Sequence, residues 1–245
     1  MTRSGTALGA LTVAATAVAW IAAAPLTGFA RLWIVVLMVL LPAGTMLQAG
    51  MLRRIREHEL PRAPVYLSSA LAIWTVGLLS LAAARAAGFT PQSIGFVRLP
   101  LGSLLAAAAA GTAAALLLLA GFRALGSAET SVLRQLLPTS GRERLAFVAL
   151  SLSAGVGEEL AFRAFLIPAL DIATGSIVAA VILASAAFGF VHAYQSSSGI
   201  VRATLLGIVL ALVFLLSGSV LPAMIAHTAI DLIVGLWLAR WLLHE

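Results

Sequence analysis

A chain of 245 residues that is 62% hydrophobic and 10% charged, with a mean hydropathy of +1.08, is not a soluble globular domain. All fifteen basic residues are arginine, and the formal net charge is +6. No soluble module interleaves them with aromatics, which excludes nucleic acid as a partner. The absence of cysteine excludes disulfides, iron–sulfur clusters and thiolate metal sites.

Crossing about 30 Å of hydrocarbon takes on the order of 20 apolar residues. Eight runs of that kind occur in chain order, at roughly 7–24, 32–52, 65–87, 101–122, 145–167, 176–195, 200–217 and 219–241. The expected fold is therefore all-α, a polytopic transmembrane bundle of about eight spans with neither a soluble domain nor a long linker. Arg3, an apolar stretch and the run Ala22-Ala23-Ala24 also fit a cleavable signal peptide. The stretch is long for that purpose, so a retained first helix is expected. Residues 1–140 carry no recognised motif, and residues 141–245 carry all of them.

The arginines give an orientation. Arg53, Arg54, Arg56 and Arg62 lie in one loop and Arg123, Arg134, Arg142 and Arg144 in another. With eight alternating spans both loops fall on one side, together with Arg3, Arg202 and Arg240, whereas the other side has Arg31, Arg85 and Arg98. The excess of positive charge places both termini in the cytoplasm of a cell-membrane protein, its basic loops facing anionic lipid of the bilayer.

The fifth span contains Gly-Val-Gly-Glu-Glu-Leu-Ala-Phe-Arg at 155–163. Ionised groups at bilayer depth are costly, so they face cavities, have partners and mark function. Glu158 and Glu159 point about 100° apart on a helix. Glu159 and Arg163, four residues apart, suit an intrahelical ion pair, which leaves Glu158 to face a cavity. A purely structural clasp fits these three residues as well. Two of the four histidines also sit in apolar spans: His192 ends the sixth, and His227 shares a helical face with Asp231 on the eighth. His58 and His244 suit solvated positions in a basic loop and at the C-terminus. Asp171 reads as a loop residue, and Arg85 as a helix-end residue that snorkels.

Glu158-Glu159-Leu160-Ala161-Phe162-Arg163, then Phe188 through His192, then His227 through Asp231, on three motif-bearing spans in this order, resemble the signature of the type II CAAX endopeptidases. Their bacterial relatives form the CPBP or Abi family of intramembrane endopeptidases, and the lysine-free, Ala- and Arg-rich composition points to a high-GC bacterial genome. The resemblance covers roughly residues 140–240. It implies hydrolysis of a peptide bond in a membrane-anchored peptide or protein. Glu158 would activate the water, His192 would help to hold it, His227 and Asp231 would line the oxyanion side, and Glu159 with Arg163 would support the site. The residue types suit this chemistry, because a carboxylate in an apolar site moves toward the range of a general base.

Many family members carry Asn where this chain has Asp231. Three carboxylates against one arginine sum to −2, which calls for protonation or a bound dication. Glu158, His192, His227 and Asp231 would be an acceptable ligand set for Zn²⁺. A metal-free glutamate mechanism is the preferred expectation, with zinc as the alternative. No His-Glu-x-x-His, serine-protease or aspartyl-dyad motif is present, and Gly155-x-Gly157 lacks the context of a phosphate loop. The Ser196-Ser197-Ser198 run reads as a loop beside His192. A proton-coupled transporter would use similar residues, with Pro168 and Pro222 as local helix breaks, and a silent scaffold could keep the same fold.

Overall fold

The computed structural model describes residues 3–52, 61–126 and 134–238. Among them there is no strand. The chain forms α1 (Arg3–Ala22), α2 (Gly28–Val35 continuing through Val36–Leu40 and Leu41–Leu52), α3 (Arg62–Ala86), α4 (Leu101–Ala124), α5 (Gly141–Thr174), α6 (Ile177–Val191), α7 (Ser197–Ser217) and α8 (Leu221–Leu238). The eight apolar runs thus each become a helix, and the protein is a multi-pass membrane protein. Six of the described helices are long and apolar enough to span a bilayer; the apolar part of α1, Leu11–Ala22, and α6, Ile177–Val191, are shorter. Arg53, Arg54, Arg56, Arg240, His58 and His244 lie outside the described residues.

Two boundaries differ from expectation. The sixth run stops at Val191 because His192 leaves helical geometry, with φ −92° and ψ 17°. Residues Ala193–Gln195 then tighten into a 3-10 turn, and Ser196 adopts φ +103°, a left-handed conformation foreign to helices. Ser196 is the loop residue of the serine run. Ser197 and Ser198 open α7, with the Ser196 hydroxyl accepting the Gly199 N–H at 3.3 Å.

The fifth run extends well past Pro168. Helix α5 is α-helical over Gly141–Glu159, π-helical over Leu160–Leu166 and α-helical again over Ile167–Thr174. Proline offers no N–H to the carbonyl four residues back and crowds it. A ladder that closes five residues on steps over that gap, so the helix continues. Asp171 falls inside this last segment rather than in a loop. Pro222 sits in the first turn of α8, where a missing N–H costs nothing.

Helix α5 is the centre of the bundle, and every residue of Leu160–Leu166 is buried. Its start is fixed by a capping box: the Glu143 N–H donates to the Ser140 hydroxyl at 3.3 Å, and the Ser140 N–H to Glu143 Oε2 at 3.1 Å. At the opposite end of the bundle, Val220 N–H and Ser219 Oγ–H donate to Gly95 O and Val97 O, at 2.9 and 2.8 Å. These bonds join the α3–α4 loop to the α7–α8 turn.

Lipid gives helices no hydrophobic reason to associate, so close packing of small residues must hold them. Gly157 lies so near α3 that a Cβ added to it would fall 2.6 Å from Ile73 Cγ2 and 2.8 Å from the Ile73 carbonyl oxygen. A Cβ on Gly155 would meet α8 at Met224 O and Thr228 N, both at 2.8 Å. The two glycines thus clamp α5 between α3 and α8, directly before Glu158. Gly157→Ala is expected to force α3 and α5 apart at a cost of about 1–3 kcal/mol. Thermal melting in detergent measures this, with Gly121→Ala as the neutral control, since its methyl group meets nothing within 4 Å.

Candidate active site

Glu159 sits at the last α-helical position before the π-helical stretch of α5 and is fully buried. Its Oε1 accepts from Arg163 Nη1 at 2.7 Å and from His227 Nδ1 at 2.8 Å. Arg163, 1% exposed, donates through Nη2 to the Gly207 carbonyl of α7 at 3.0 Å. One ion pair thus joins α5, α7 and α8. The Arg163 guanidinium also lies 4.6 Å over the Phe188 ring, which packs edge-on against Phe162 and His227. This aromatic cover keeps lipid and water from the ion cluster and strengthens its charge-assisted bonds.

The bond to Glu159 fixes the proton of His227. A carboxylate shared with arginine accepts, so Nδ1 carries hydrogen and Nε2 turns the other way. Nε2 lies 3.8 Å from Glu158 Oε2 and 4.0 Å from Asp231 Oδ2. Glu158 Oε2 is buried and has no hydrogen-bond partner among the described residues. His192 is fixed in the same sense, with Nδ1 donating to the Phe188 carbonyl at 2.8 Å, so its Nε2 is the available acceptor when the ring is neutral.

A cavity of about 90 Å³, room for a few waters, lies among α6, α7 and α8. Its lining includes His192, His227 and Asp231, and also Gln195 and Arg202. Glu158 adjoins through the Nε2 of His227 rather than through the cavity wall itself. The sequence-predicted groups are therefore gathered in a definite order: Glu158 and Asp231 flank His227, Glu159 and Arg163 stand behind it, and His192 faces the same cavity from the end of α6.

Further residues belong to the site. Gly155 and Gly157 set its frame; their spacing is readable in the sequence, but their close approach to α8 and α3 is not. Arg202 is only 5% exposed, not a surface residue beside lipid headgroups, and its Nη2 donates to Gln195 Oε1 at 3.5 Å. Gln195 Nε2 donates to the Tyr194 hydroxyl at 3.1 Å. Burial pushes the Tyr194 phenol up to about 12, so it stays protonated.

For a metal, the arrangement offers a poor fit. Among the described residues no group of three or more His, Cys, Asp or Glu side chains is drawn together as a cation would need. Glu158 and Asp231 both stand near His227 Nε2, at 3.8 and 4.0 Å. The chemistry proposed for the site therefore runs through its side chains alone.

A buried ion cluster and two histidines stand at a small cavity inside the helical membrane bundle. Residues 141–233 match the family model described as "Type II CAAX prenyl endopeptidase Rce1-like", so this motif-bearing part of the chain is similar to that family. The match runs from the first turn of α5 to just beyond Asp231. No curated protein and no solved structure matches the chain. This match supports a protease function of the intramembrane CAAX type in general.

Proposed function

We propose that this protein hydrolyses a peptide bond in a membrane-anchored peptide or protein, with Glu158 as general base. The observation that carries this reading is the chain Arg163–Glu159–His227, which turns His227 Nε2 toward Glu158, Asp231 and the cavity. The Glu158 carboxylate takes a proton from water as the water oxygen attacks the scissile carbonyl carbon. His192 Nε2 holds the same water. The carbonyl oxygen becomes an oxyanion facing His227 and residue 231. Glu158 then returns the proton to the departing nitrogen as the C–N bond breaks.

Charge supports this assignment. Glu158, Glu159 and Asp231 against Arg163 leave two negative charges around His227. A proton on His227 Nε2 offsets one of them and makes that nitrogen an oxyanion donor. Residues 1–140 serve in this reading as the frame against which α5 packs. The cytoplasm is placed at the end bearing Arg62, Arg123, Arg134, Arg142 and Arg144, against Arg31, Arg85 and Arg98 at the other.

Purified protein in detergent is expected to cleave a membrane-anchored reporter peptide, and Glu158→Ala to abolish cleavage with the fold intact. Equal turnover by both proteins would remove the proposal. The residue at 231 tests the metal question. An amide donates to an oxyanion where an ionised carboxylate repels it, so Asp231→Asn is expected to preserve or raise the rate. Prolonged exposure to a strong chelator is expected to leave the rate unchanged. Loss of activity on chelation, restored by stoichiometric zinc, would overturn the metal-free route.

A further inference from the structure

We propose that the Tyr194 hydroxyl is a catalytic donor, placed to hydrogen-bond the oxyanion that forms when water adds to the scissile carbonyl. This rests on the peptidase reading above and adds a residue that lies outside the three sequence motifs.

The turn between α6 and α7 aims this side chain. His192 leaves helical geometry, Ala193–Gln195 tighten, and the left-handed Ser196 turns the chain into α7. The Leu41–Leu52 part of α2 packs on the turn and holds its path from outside. A tyrosine near a helix end in a membrane protein ordinarily anchors in the headgroup layer. Tyr194 is turned inward instead: it is half-buried, and its ring centre lies 6.0 Å from that of His192. His192 and Gln195, on either side of it in the turn, both line the cavity.

Hydrogen bonding leaves the phenol with a proton to give. Gln195 Nε2 donates to the Tyr194 oxygen at 3.1 Å, and because Gln195 Oε1 accepts from Arg202, that end of the amide is fixed toward the phenol. The oxygen is thus already an acceptor, while the O–H is given to no acceptor among the described residues. Burial keeps the phenol protonated, and the nearby carboxylates of Glu158 and Asp231 push in the same direction. A neutral donor of this kind is held ready and gains most when negative charge develops in front of it.

The charges of the site call for such a donor. An oxyanion forming here meets the carboxylates of Glu158 and Asp231 around His227, and Glu159 stands behind that ring. As water adds, the carbonyl π pair moves onto oxygen and Glu158 holds the proton taken from water. The Tyr194 O–H hydrogen-bonds the new oxyanion without leaving its own oxygen. When the C–N bond breaks, the pair returns to the C=O bond and the Tyr194 contact weakens again. A bond that is strong only in the tetrahedral state lowers the barrier without tightening the substrate.

The experiment uses a membrane-anchored reporter peptide and its phosphinate counterpart, in which an anionic tetrahedral phosphorus replaces the scissile amide. Turnover and binding by fluorescence anisotropy are measured on the unaltered protein and on Tyr194→Phe, which loses only the hydroxyl. We expect kcat to fall by about 100-fold with KM changed far less. Phosphinate binding is expected to weaken by about 10- to 100-fold. Affinity for the amide peptide, read in a Glu158→Gln background, should change far less. A second readout leaves position 194 in place. The chain has two tyrosines, so 3-fluorotyrosine incorporated throughout gives two fluorine signals, one from Tyr194 and one from Tyr66. Tyr66 donates to the Leu136 carbonyl just ahead of α5 and serves as the internal control. Bound phosphinate is expected to move the Tyr194 signal and leave that of Tyr66, with Tyr66→Phe making the assignment.

Unchanged turnover in Tyr194→Phe would overturn the proposal, as would equal weakening of phosphinate and amide peptide. So would a Tyr194 fluorine signal indifferent to bound phosphinate, a result that stands even if Tyr194→Phe does not fold. Phosphinate that binds and moves the Tyr194 signal, with no peptide cleaved, would instead defeat the peptidase reading and leave the Tyr194 donor in place. Neither binding nor cleavage would defeat both.

Discussion

Glu158→Gln is expected to lower peptide hydrolysis by at least about 100-fold while leaving expression and melting temperature almost unchanged. The substitution keeps volume and shape. It removes the property the reaction uses, the basicity of an oxygen that makes no hydrogen bond among the described residues and sits 3.8 Å from His227 Nε2. Because that oxygen ties no other helix in place, the bundle has little to lose. Single-turnover cleavage of a reporter, paired with thermal unfolding in the same detergent, measures both quantities. Retained turnover in Glu158→Gln would remove this residue from the role of base.

Glu159→Gln and Arg163→Ala are expected to do the reverse. Each leaves a buried charge without its counterion, at a cost of about 3–5 kcal/mol. Glu159 carries more than Arg163, since the same Oε1 accepts from His227 and so fixes that ring. The loss should therefore appear first as low yield and early melting, and any folded Glu159→Gln protein should also turn over slowly. Loss of turnover in Glu159→Gln at full stability, with Glu158→Gln still active, would mean that the two carboxylates exchange roles.

Much of this fold was legible because bilayer physics writes itself into hydropathy: every apolar run became a helix, and positions 158, 159, 163, 192, 227 and 231 all came to one region. The pair Glu159–Arg163 reflects a spacing of four on a single helix, and so does the nearness of His227 to Asp231. The hidden part depends on other helices. Nothing local ties His227 to Glu159 across 68 residues. The roles of Gly155 and Gly157 depend on which helices cross there. Arg202 reads as a loop charge because it lies near the start of a helix, and only the fold of the 192–196 turn carries it inward. The shortness of α6 was hidden for a related reason, since Ala193 and Tyr194 prolong the apolar run while His192 already ends the helix.

The π-helical stretch Leu160–Leu166 has a consequence for how tolerant this chain is to change in length. One residue of an α-helix turns the chain by about 100°, so a wide turn acts as a phase offset between the helical segments on its two sides. Here the N-terminal segment faces Gly77 of α3 and Thr228 of α8, and the C-terminal segment is buried against the rest of the core. Removing a single apolar residue from the stretch would leave hydropathy and every motif letter outside it untouched. It would nevertheless make the two ends of α5 disagree by roughly a quarter-turn, so that either Glu159 leaves His227 or the distal end leaves the core. Along this helix, length is as strictly specified as residue type.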